Sequence, residues 1–151
     1  MIIPPTGPVT GLEMPRFAVL RSDTVNMRQG PGTSWPIEWT FQRRDLPVMI
    51  IGEFQLWRRI RDPDGAEGWV HSATLVGRRN ALVKGADRAE IPLRQRPEEG
   101  APPAALLRPG VIARIRSCEA DSAWCQIQAG PHRGWLQRTE FWGALEKEKV
   151  E

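Results

Sequence analysis

The stretch VNMRQGPGTSW, from Val25 to Trp35, is the part of the sequence that decides the fold. It is too polar and too rich in glycine for a buried strand, and it has too few helix-forming residues for a helix. Its glycines let the backbone turn and the proline between them fixes φ, so the stretch predicts an open loop after a short strand. A poorer copy of its opening, IPLRQRPEEG, begins at Ile91 and indicates a repeat.

The two halves of the chain align at a nearly constant spacing. Matching residues lie 66 or 67 positions apart, and they include tryptophan and glycine, which rarely match by chance. The spacing therefore predicts two copies of one small unit. The aligned residues are Met27-Arg28-Gln29 with Leu93-Arg94-Gln95, Trp57 with Trp124, Ile60 with Ile127, and Gly68-Trp69-Val70 with Gly134-Trp135-Leu136.

The composition favours an all-β protein. The 151 residues include 14 Gly, 14 Pro and seven Trp, and the apolar residues come in short runs, which is typical of many turns joining short strands. Asp64-Gly65 suits a tight hairpin turn. Alternation along this hairpin directs Ile60 inward and leaves Trp57, Arg59 and Arg61 outward.

These signals predict two domains. We expect a flexible Pro/Gly-rich segment over residues 1–15 and a charged tail over 146–151. The first domain is expected at 16–83, a linker at 84–88, and a second, divergent domain at 89–145. Because this linker is short, we expect the domains to pack against each other. No apolar run approaches the length of a membrane helix, and residues 1–15 do not read as a signal peptide.

The first copy resembles the bacterial SH3 domain (SH3b). The resemblance rests on VNMRQGPGTSWPI, an apolar strand, and WRRIRDPDGAEGWVHSATL. The second copy resembles the family only through PLRQRP, Trp124 and GWL, and it lacks the Gly-Pro-Gly loop. The family implies two small SH3-like β-barrels of five to six strands each. It also implies a non-catalytic module of the cell envelope that binds an extended peptide or a cell-wall peptide fragment.

The resemblance also places the binding groove in the first domain. The Gly-Pro-Gly loop would form one wall and Trp57 the other, while Arg28 would brace the loop from below. Trp39 and Trp69 also fit a core role, and Phe141 and Trp142 would cap the second barrel or seal the contact between the copies. The expected ligand-binding residues are Gln29, Pro31, Trp35, Trp57, Trp69 and His71.

The two cysteines predict a disulfide. Cys118 and Cys125 flank EADSAW, so they lie on facing arms of a hairpin. Simple alternation puts them on opposite faces, which a bulge near Cys118 or Glu119 would correct. Two separate thiols are the alternative. A disulfide indicates an oxidising compartment, so we expect a periplasmic or other extracytoplasmic location with the export signal lost; a cytoplasmic location is the alternative.

The sequence gives little support for catalysis. His71 and His132 are the only histidines, neither has the spacing of a triad or a metal site, and GPGTSWP lacks the Gly-Lys-Ser/Thr of a phosphate loop. We expect no cofactor, no metal and no membrane insertion. The expected partners are a peptide, a cell-wall fragment or an exported protein, and the expected state is a monomer or a weak homo-oligomer.

Two other functions stay open. In one, the protein is a scaffold that uses both barrels for protein–protein contacts, and the Pro-rich IIPPTGPV fills the groove. In the other, which has less support, the barrels bind nucleic acid through the basic surplus of 18 Arg and three Lys. One arginine cluster could form a basic face or an ordinary solvated one, and it consists of Arg43, Arg44, Arg58, Arg59 and Arg61.

Overall fold

The computed structural model describes residues 2–85 and 87–151. Met1 and Ala86 lie outside the described residues. The structure therefore describes only part of segment 1–15 and of linker 84–88. The chain divides into two compact units, the first ending at Arg78 and the second beginning at Arg79. Both are built from β-strands, with one short 3₁₀ turn each. In the described part of the chain, no helix is long and apolar enough to cross a membrane.

The first unit is one seven-stranded antiparallel sheet. Its strand order is β3-β2-β6-β5-β4-β1-β7, so β3 lies at one edge and β7 at the other. A 3₁₀ turn at Ser72–Thr74 precedes β7. The strands are β1 (Arg16–Leu20), β2 (Val25–Arg28), β3 (Ile37–Phe41), β4 (Pro47–Phe54), β5 (Trp57–Arg61), β6 (Glu67–His71) and β7 (Leu75–Val76).

The second unit repeats this sheet strand for strand. Its order is β10-β9-β13-β12-β11-β8-β14, which is the order of the first sheet moved on by seven strands. The repeat predicted from the sequence is therefore a repeat of topology. The strands are β8 (Asn80–Val83), β9 (Ile91–Arg94), β10 (Pro103–Leu107), β11 (Ile112–Cys118), β12 (Trp124–Ala129), β13 (His132–Gln137) and β14 (Phe141–Trp142).

Two details differ from the expected organisation. The first domain was expected to run to residue 83, but β8 pairs with β11 and is the counterpart of β1 in the second sheet. The second unit therefore opens before the expected linker, not after it. Each sheet also has seven strands instead of five or six, because the edge strands β7 and β14 are only two residues long and carry no alternation pattern.

The hairpin of β5 and β6 has the predicted orientation. Ile60 is fully buried, while Trp57, Arg59 and Arg61 are half-buried on the other face of β5. The turn that follows is held by Asp62, whose carboxylate accepts hydrogen bonds from the backbone N–H groups of Asp64 and Ala66. Gly65 has a φ of 92°, as a tight turn requires.

Hydrogen bonds connect the N-terminal segment, which the composition predicts to be flexible, to the first sheet. The Glu53 carboxylate accepts hydrogen bonds from the backbone N–H groups of Val9 and Thr10, from the Thr10 hydroxyl, and from Arg16. Burial raises the pKa of Glu53, but these hydrogen bonds outweigh burial and lower it to about 2. A buried carboxylate thus anchors the segment to the first sheet.

The charged C-terminal residues are bound to the second unit. Val150 is buried and exchanges two backbone hydrogen bonds with Cys118 of β11. The Glu148 carboxylate pairs with Arg79 at 2.6 Å. Burial raises the pKa of Glu148, but the hydrogen bonds from Arg79 and the Leu145 N–H, with the nearby charges, bring it below its usual value.

The predicted disulfide is present. Cys118 and Cys125 are directly paired across β11 and β12, with 4.4 Å between their Cα atoms, and both are buried. The bulge that brings them to the same face lies between Ile115 and Ser117, not at Cys118 or Glu119 as expected. One extra residue, Arg116, shifts the alternation of the rest of the strand. Phe141 is buried in the core cluster of this unit.

Candidate functional site

The loop after β2 has a defined shape. The Gln29 N–H donates to the Pro36 carbonyl at 3.0 Å, which closes the base of the loop. Arg28, the last residue of β2, donates from Nη1 to the carbonyl oxygens of Thr33 at 3.1 Å and Trp35 at 2.8 Å. The guanidinium group therefore holds the two sides of the loop together from within. Gln29 is exposed and Pro31 is half-buried on this loop.

The indole ring of Trp35 lies against the loop glycine Gly30. Its indole ring covers Gly30 so closely that a Cβ at this position would collide with the ring atoms. Trp35 is nevertheless 47% exposed. Because Gly30 has no side chain, the partly exposed indole of Trp35 can occupy this position.

Trp57 and His71 form the centre of an aromatic row. They are register partners across β5 and β6, and their rings meet edge to face with centroids 5.3 Å apart and planes at 77°. Phe54 is the register partner of Trp57 on its other side and is 50% exposed. His71 Nδ1 accepts the Ala73 N–H at 3.0 Å, so the proton of the neutral ring is on Nε2.

Trp69 extends this row along β6. It pairs with Arg59 on one side and with Arg28 on the other, and its ring tip lies close to Gly52. The sheet register places it diagonally from Trp57, within reach for an aromatic side chain. Phe54, Trp57, Trp69 and His71 are called the aromatic face below.

The structure joins the predicted residues in two groups. Trp57, Trp69 and His71 share the aromatic face, and Gln29, Pro31 and Trp35 lie on the loop. Arg28 connects the groups, since it pairs with Trp69 in the sheet and binds the Trp35 carbonyl through its side chain.

Sequence reasoning missed two exposed aromatic residues. Phe54 was not singled out, although its place just before the two-residue turn puts it opposite Trp57. Trp39 was expected to fill the core and is instead 58% exposed on edge strand β3. Alternation alone does not distinguish these positions, because Trp39 follows the same parity as buried Phe41.

The second unit keeps the backbone of the loop but not its tryptophan. Gln95 donates to the Pro102 carbonyl at 2.9 Å, and Arg94 Nε donates to the Glu99 carbonyl at 3.2 Å. These bonds lie 66 residues after the Gln29 and Arg28 bonds in the first loop. Ala101 takes the place of Trp35 and is buried. The loop shape therefore does not depend on the Gly-Pro-Gly sequence.

The aromatic face of the second unit is covered. Arg94 lies over the ring of Trp124, the counterpart of Trp57, at 5.1 Å from its centroid. Glu140 holds Arg94 there, with 2.8 Å between Nη1 and Oε1. The counterpart of Glu140 in the first unit is Thr74, which instead donates its hydroxyl to the His71 carbonyl.

The arginine cluster predicted on adjacent strands does not form one basic face. Arg58 is buried and donates to the carbonyl oxygens of Gln55 and Trp57. Arg59 and Arg61 share the carboxylate of Glu67 on the opposite face of β5. The alternation of the strand divides the cluster, so its charge is not presented to one partner.

Comparison with known proteins gives a family and two distant structures. The chain is similar to NlpC2 and NlpC1 from Trichomonas vaginalis, at 12% and 11% identity and a TM-score of 0.39 for each. The alignments cover 87% and 95% of this chain, which spans about half of those chains, 49% and 51%. No curated protein matches significantly. The pattern of the bacterial SH3 domain matches residues 21–77 and 87–143, so the chain belongs to the bacterial SH3 domain family.

Proposed function

We propose that the first unit is a non-catalytic module of the bacterial cell envelope that binds an extended peptide, such as a cell-wall peptide fragment. In this proposal each sheet closes as a small SH3-like barrel, and the groove runs between the Gln29–Pro36 loop and the aromatic face. The contacting residues are Gln29, Pro31, Trp35, Trp57, Trp69 and His71.

The contrast between the two units carries this proposal. Both have the same topology and share the Gln29–Pro36 type of loop hydrogen bond. Among residues 2–85 and 87–151, an arginine lies over the hairpin tryptophan in the second unit and not in the first. An ion pair between Arg94 and Glu140 covers Trp124, whereas Trp57 contacts His71 edge to face and keeps part of its surface exposed. The first unit has an available aromatic surface, and the second has filled the same position with its own side chain.

The chemistry of this surface suits an extended chain. Tryptophan rings offer flat apolar contacts, and a peptide that is already extended loses little conformational entropy when it binds. His71 Nε2–H can donate one hydrogen bond to a peptide carbonyl. The exposed edge of Trp35, held in place by Gly30, gives the ligand a second rigid contact.

The disulfide supports an extracytoplasmic location. Cys118 and Cys125 are bonded and buried, and such bonds persist in oxidising compartments. A cell-wall or exported ligand agrees with this location, so the search for the ligand begins with peptides found outside the cytoplasm.

The experiment compares two matched tryptophan variants of the full chain. Trp57→Ala removes the centre of the aromatic face, while Trp124→Ala removes its covered counterpart. Binding of a synthetic wall stem peptide and of a proline-rich decapeptide is measured by titration calorimetry. We expect Trp57→Ala to weaken binding by about tenfold or more, as for buried aromatic contacts at interfaces, and Trp124→Ala to leave it unchanged. Equal losses in both variants, with both proteins folded, would contradict the proposal.

A scaffold function is the second candidate, and the edge strand β3 supports it. Ile37 and Trp39 are both exposed, at 48% and 58%, on a strand that has only one neighbour. Exposed apolar residues on an unpaired edge favour contact with another protein chain. A variant with Ile37→Lys and Trp39→Lys that lost a stoichiometric protein partner but kept peptide binding would favour this function.

A further inference from the structure

A hollow of the first unit gathers three arginines that lie far apart in the sequence. Its volume is about 520 Å³, and its lining comes from three chain segments. The residues are called the basic hollow below and are Arg21, Arg44, Asp45, Val76 and Arg78.

Backbone hydrogen bonds fix the segments that carry these side chains. The Asp45 N–H donates to the Leu20 carbonyl at 2.8 Å, and the Arg21 N–H donates to the Thr74 carbonyl at 2.7 Å. The end of β1, the turn before β4 and the start of β7 are thus held side by side. The arginines converge because of the fold and not because of an arginine-rich stretch.

The carboxylates near the hollow leave an excess of positive charge. Arg78 pairs with Asp45 at 3.1 Å, and Arg44 Nε lies 3.3 Å from Asp23. Within residues 2–85 and 87–151, the side chain of Arg21 forms no ion pair or hydrogen bond. The lining therefore carries three guanidinium groups and one carboxylate, with donors of Arg21 and Arg44 available to a ligand.

Asp45 has an unusual backbone conformation. Its φ is 70°, a left-handed value that favours glycine, and its counterpart in the second unit is Gly110, with a φ of 92°. The first unit therefore keeps a carboxylate where a glycine would be less strained. The Asp45 carboxylate accepts a hydrogen bond from Arg78 and orients it at the hollow. This contact gives a reason for the strained backbone of Asp45.

The second unit has a hollow near the corresponding place, but it does not repeat the three arginines. The counterparts of Arg44, Asp45 and Arg78 are Pro109, Gly110 and Ala144, and the position of Arg21 is taken by Lys84. The Lys84 N–H donates to the Glu140 carbonyl as the Arg21 N–H does to that of Thr74, which confirms the alignment. The three arginines are therefore particular to the first unit, and the shared topology does not require them.

We propose that the basic hollow binds a phosphate group. A tetrahedral phosphate presents oxygens in several directions and can accept paired N–H donors from more than one guanidinium group. Arg21 and Arg44 supply these donors, and Arg78, held by Asp45, completes the positive lining. The hollow lies beside the start of β4, whereas Phe54 of the aromatic face lies at the end of β4. We therefore expect phosphate binding to be separate from peptide binding.

The test uses inorganic phosphate and dimethyl phosphate as probes of the full chain in titration calorimetry at low salt. Binding of both probes indicates a phosphodiester as the natural group, and binding of inorganic phosphate alone indicates a terminal phosphate. The variant Arg21→Gln with Arg44→Gln is expected to weaken binding by about tenfold or more, since two charge-assisted contacts are lost.

The control removes the same charge from the second unit. Arg114→Gln with Arg133→Gln changes two exposed arginines outside the hollow and is expected to leave phosphate binding unchanged. If neither probe bound saturably, or if the control lost as much affinity as the hollow variant, the phosphate site would be refuted. The Trp57→Ala variant should bind phosphate normally, so failure of the peptide proposal and of this one are distinguishable.

Discussion

Glu53 faces Arg58 across β4 and β5 at the register position where the second unit places its disulfide. Glu53 pairs with Arg58, Gly52 with Arg59 and Ile50 with Ile60, and the second unit matches these with Cys118–Cys125, Ser117–Gln126 and Ile115–Ile127. Glu53, 3.9 Å from Arg58, accepts the hydrogen bonds of the N-terminal segment, and the backbone of Cys118 exchanges hydrogen bonds with Val150 near the C-terminus. Each unit therefore secures one end of the chain at the same point of its central hairpin.

We predict that Glu53→Gln destabilises the first unit and reduces its acid sensitivity. The pKa of Glu53 is about 2 in the folded chain against an ordinary 4.5. The ionised carboxylate therefore contributes fully to the free energy of unfolding above about pH 4.5. This contribution is lost as the pH falls from there to about 2, because protonation then favours the unfolded chain. The loss at pH 7 should be on the order of 3 kcal/mol.

The measurement is urea unfolding at pH 7 and at pH 3. The difference in the free energy of unfolding between wild type and Glu53→Gln should be large at pH 7 and small at pH 3. Glu98→Gln is the control, because Glu98 and its partner Arg96 are exposed. An equal difference at both pH values would show that the Glu53 charge does not anchor the segment.

We predict that Cys118→Ser with Cys125→Ser destabilises the second unit. The bond closes a loop with a sequence separation of seven, which corresponds to about 2–3 kcal/mol in the chain-entropy model. The backbone amide hydrogens of Val150 and residue 118, which form the two hydrogen bonds between them, should then exchange with solvent faster. Hydrogen exchange measures this rate residue by residue. Unchanged protection of Val150 would mean that the C-terminal residues do not depend on the disulfide.

We predict that Gly30→Ala displaces Trp35 and weakens peptide binding. A Cβ at Gly30 collides with the indole ring, whereas a Cβ at Gly77 meets no atom within 4 Å. Gly77→Ala is therefore the matched control and should behave as wild type. The measurement is the change in total tryptophan emission relative to wild type, with all seven tryptophans retained, together with peptide affinity. If both alanine variants bound equally well, Trp35 would not be part of the groove.

We predict that exchanging one pair of residues moves the binding surface between units. Thr74→Glu places a carboxylate where Glu140 holds Arg94, so it should draw Arg28 over Trp57 and weaken peptide binding. Glu140→Thr should release Arg94 and expose Trp124. Peptide affinity is measured by calorimetry, with thermal unfolding to verify that each variant is folded. Wild-type affinity in folded Thr74→Glu would show that the arginine cover does not control access.

Tryptophan, glycine and cysteine made much of this structure predictable. Trp57 and Trp124 revealed the repeat because such residues seldom align by chance, and the separation of Cys118 and Cys125 gave the disulfide. The inward and outward faces of β5 followed from simple alternation. Predictions of this kind depend on single residues and their spacing, so they can be made without knowledge of the tertiary structure.

Other features depend on tertiary context and could not be predicted. The strand Asn80–Val83 has no anchor residue, so nothing in its sequence assigns it to the second sheet. The exposure of Trp39 follows from the edge position of β3, and the bulge at Arg116 follows from the pairing of β11 with β12. Likewise, Arg94 was visible as a counterpart of Arg28, but its position over Trp124 depends on Glu140, 46 residues later.

The most direct measurement follows the seven tryptophan indole N–H signals by NMR while a binding peptide is added. We predict that the signals of Trp35, Trp57 and Trp69 shift together and saturate at one affinity, while those of Trp124 and Trp135 stay in place. Shifts confined to Trp39, or equal shifts of Trp57 and Trp124, would contradict an open aromatic face in the first unit as the site of peptide binding.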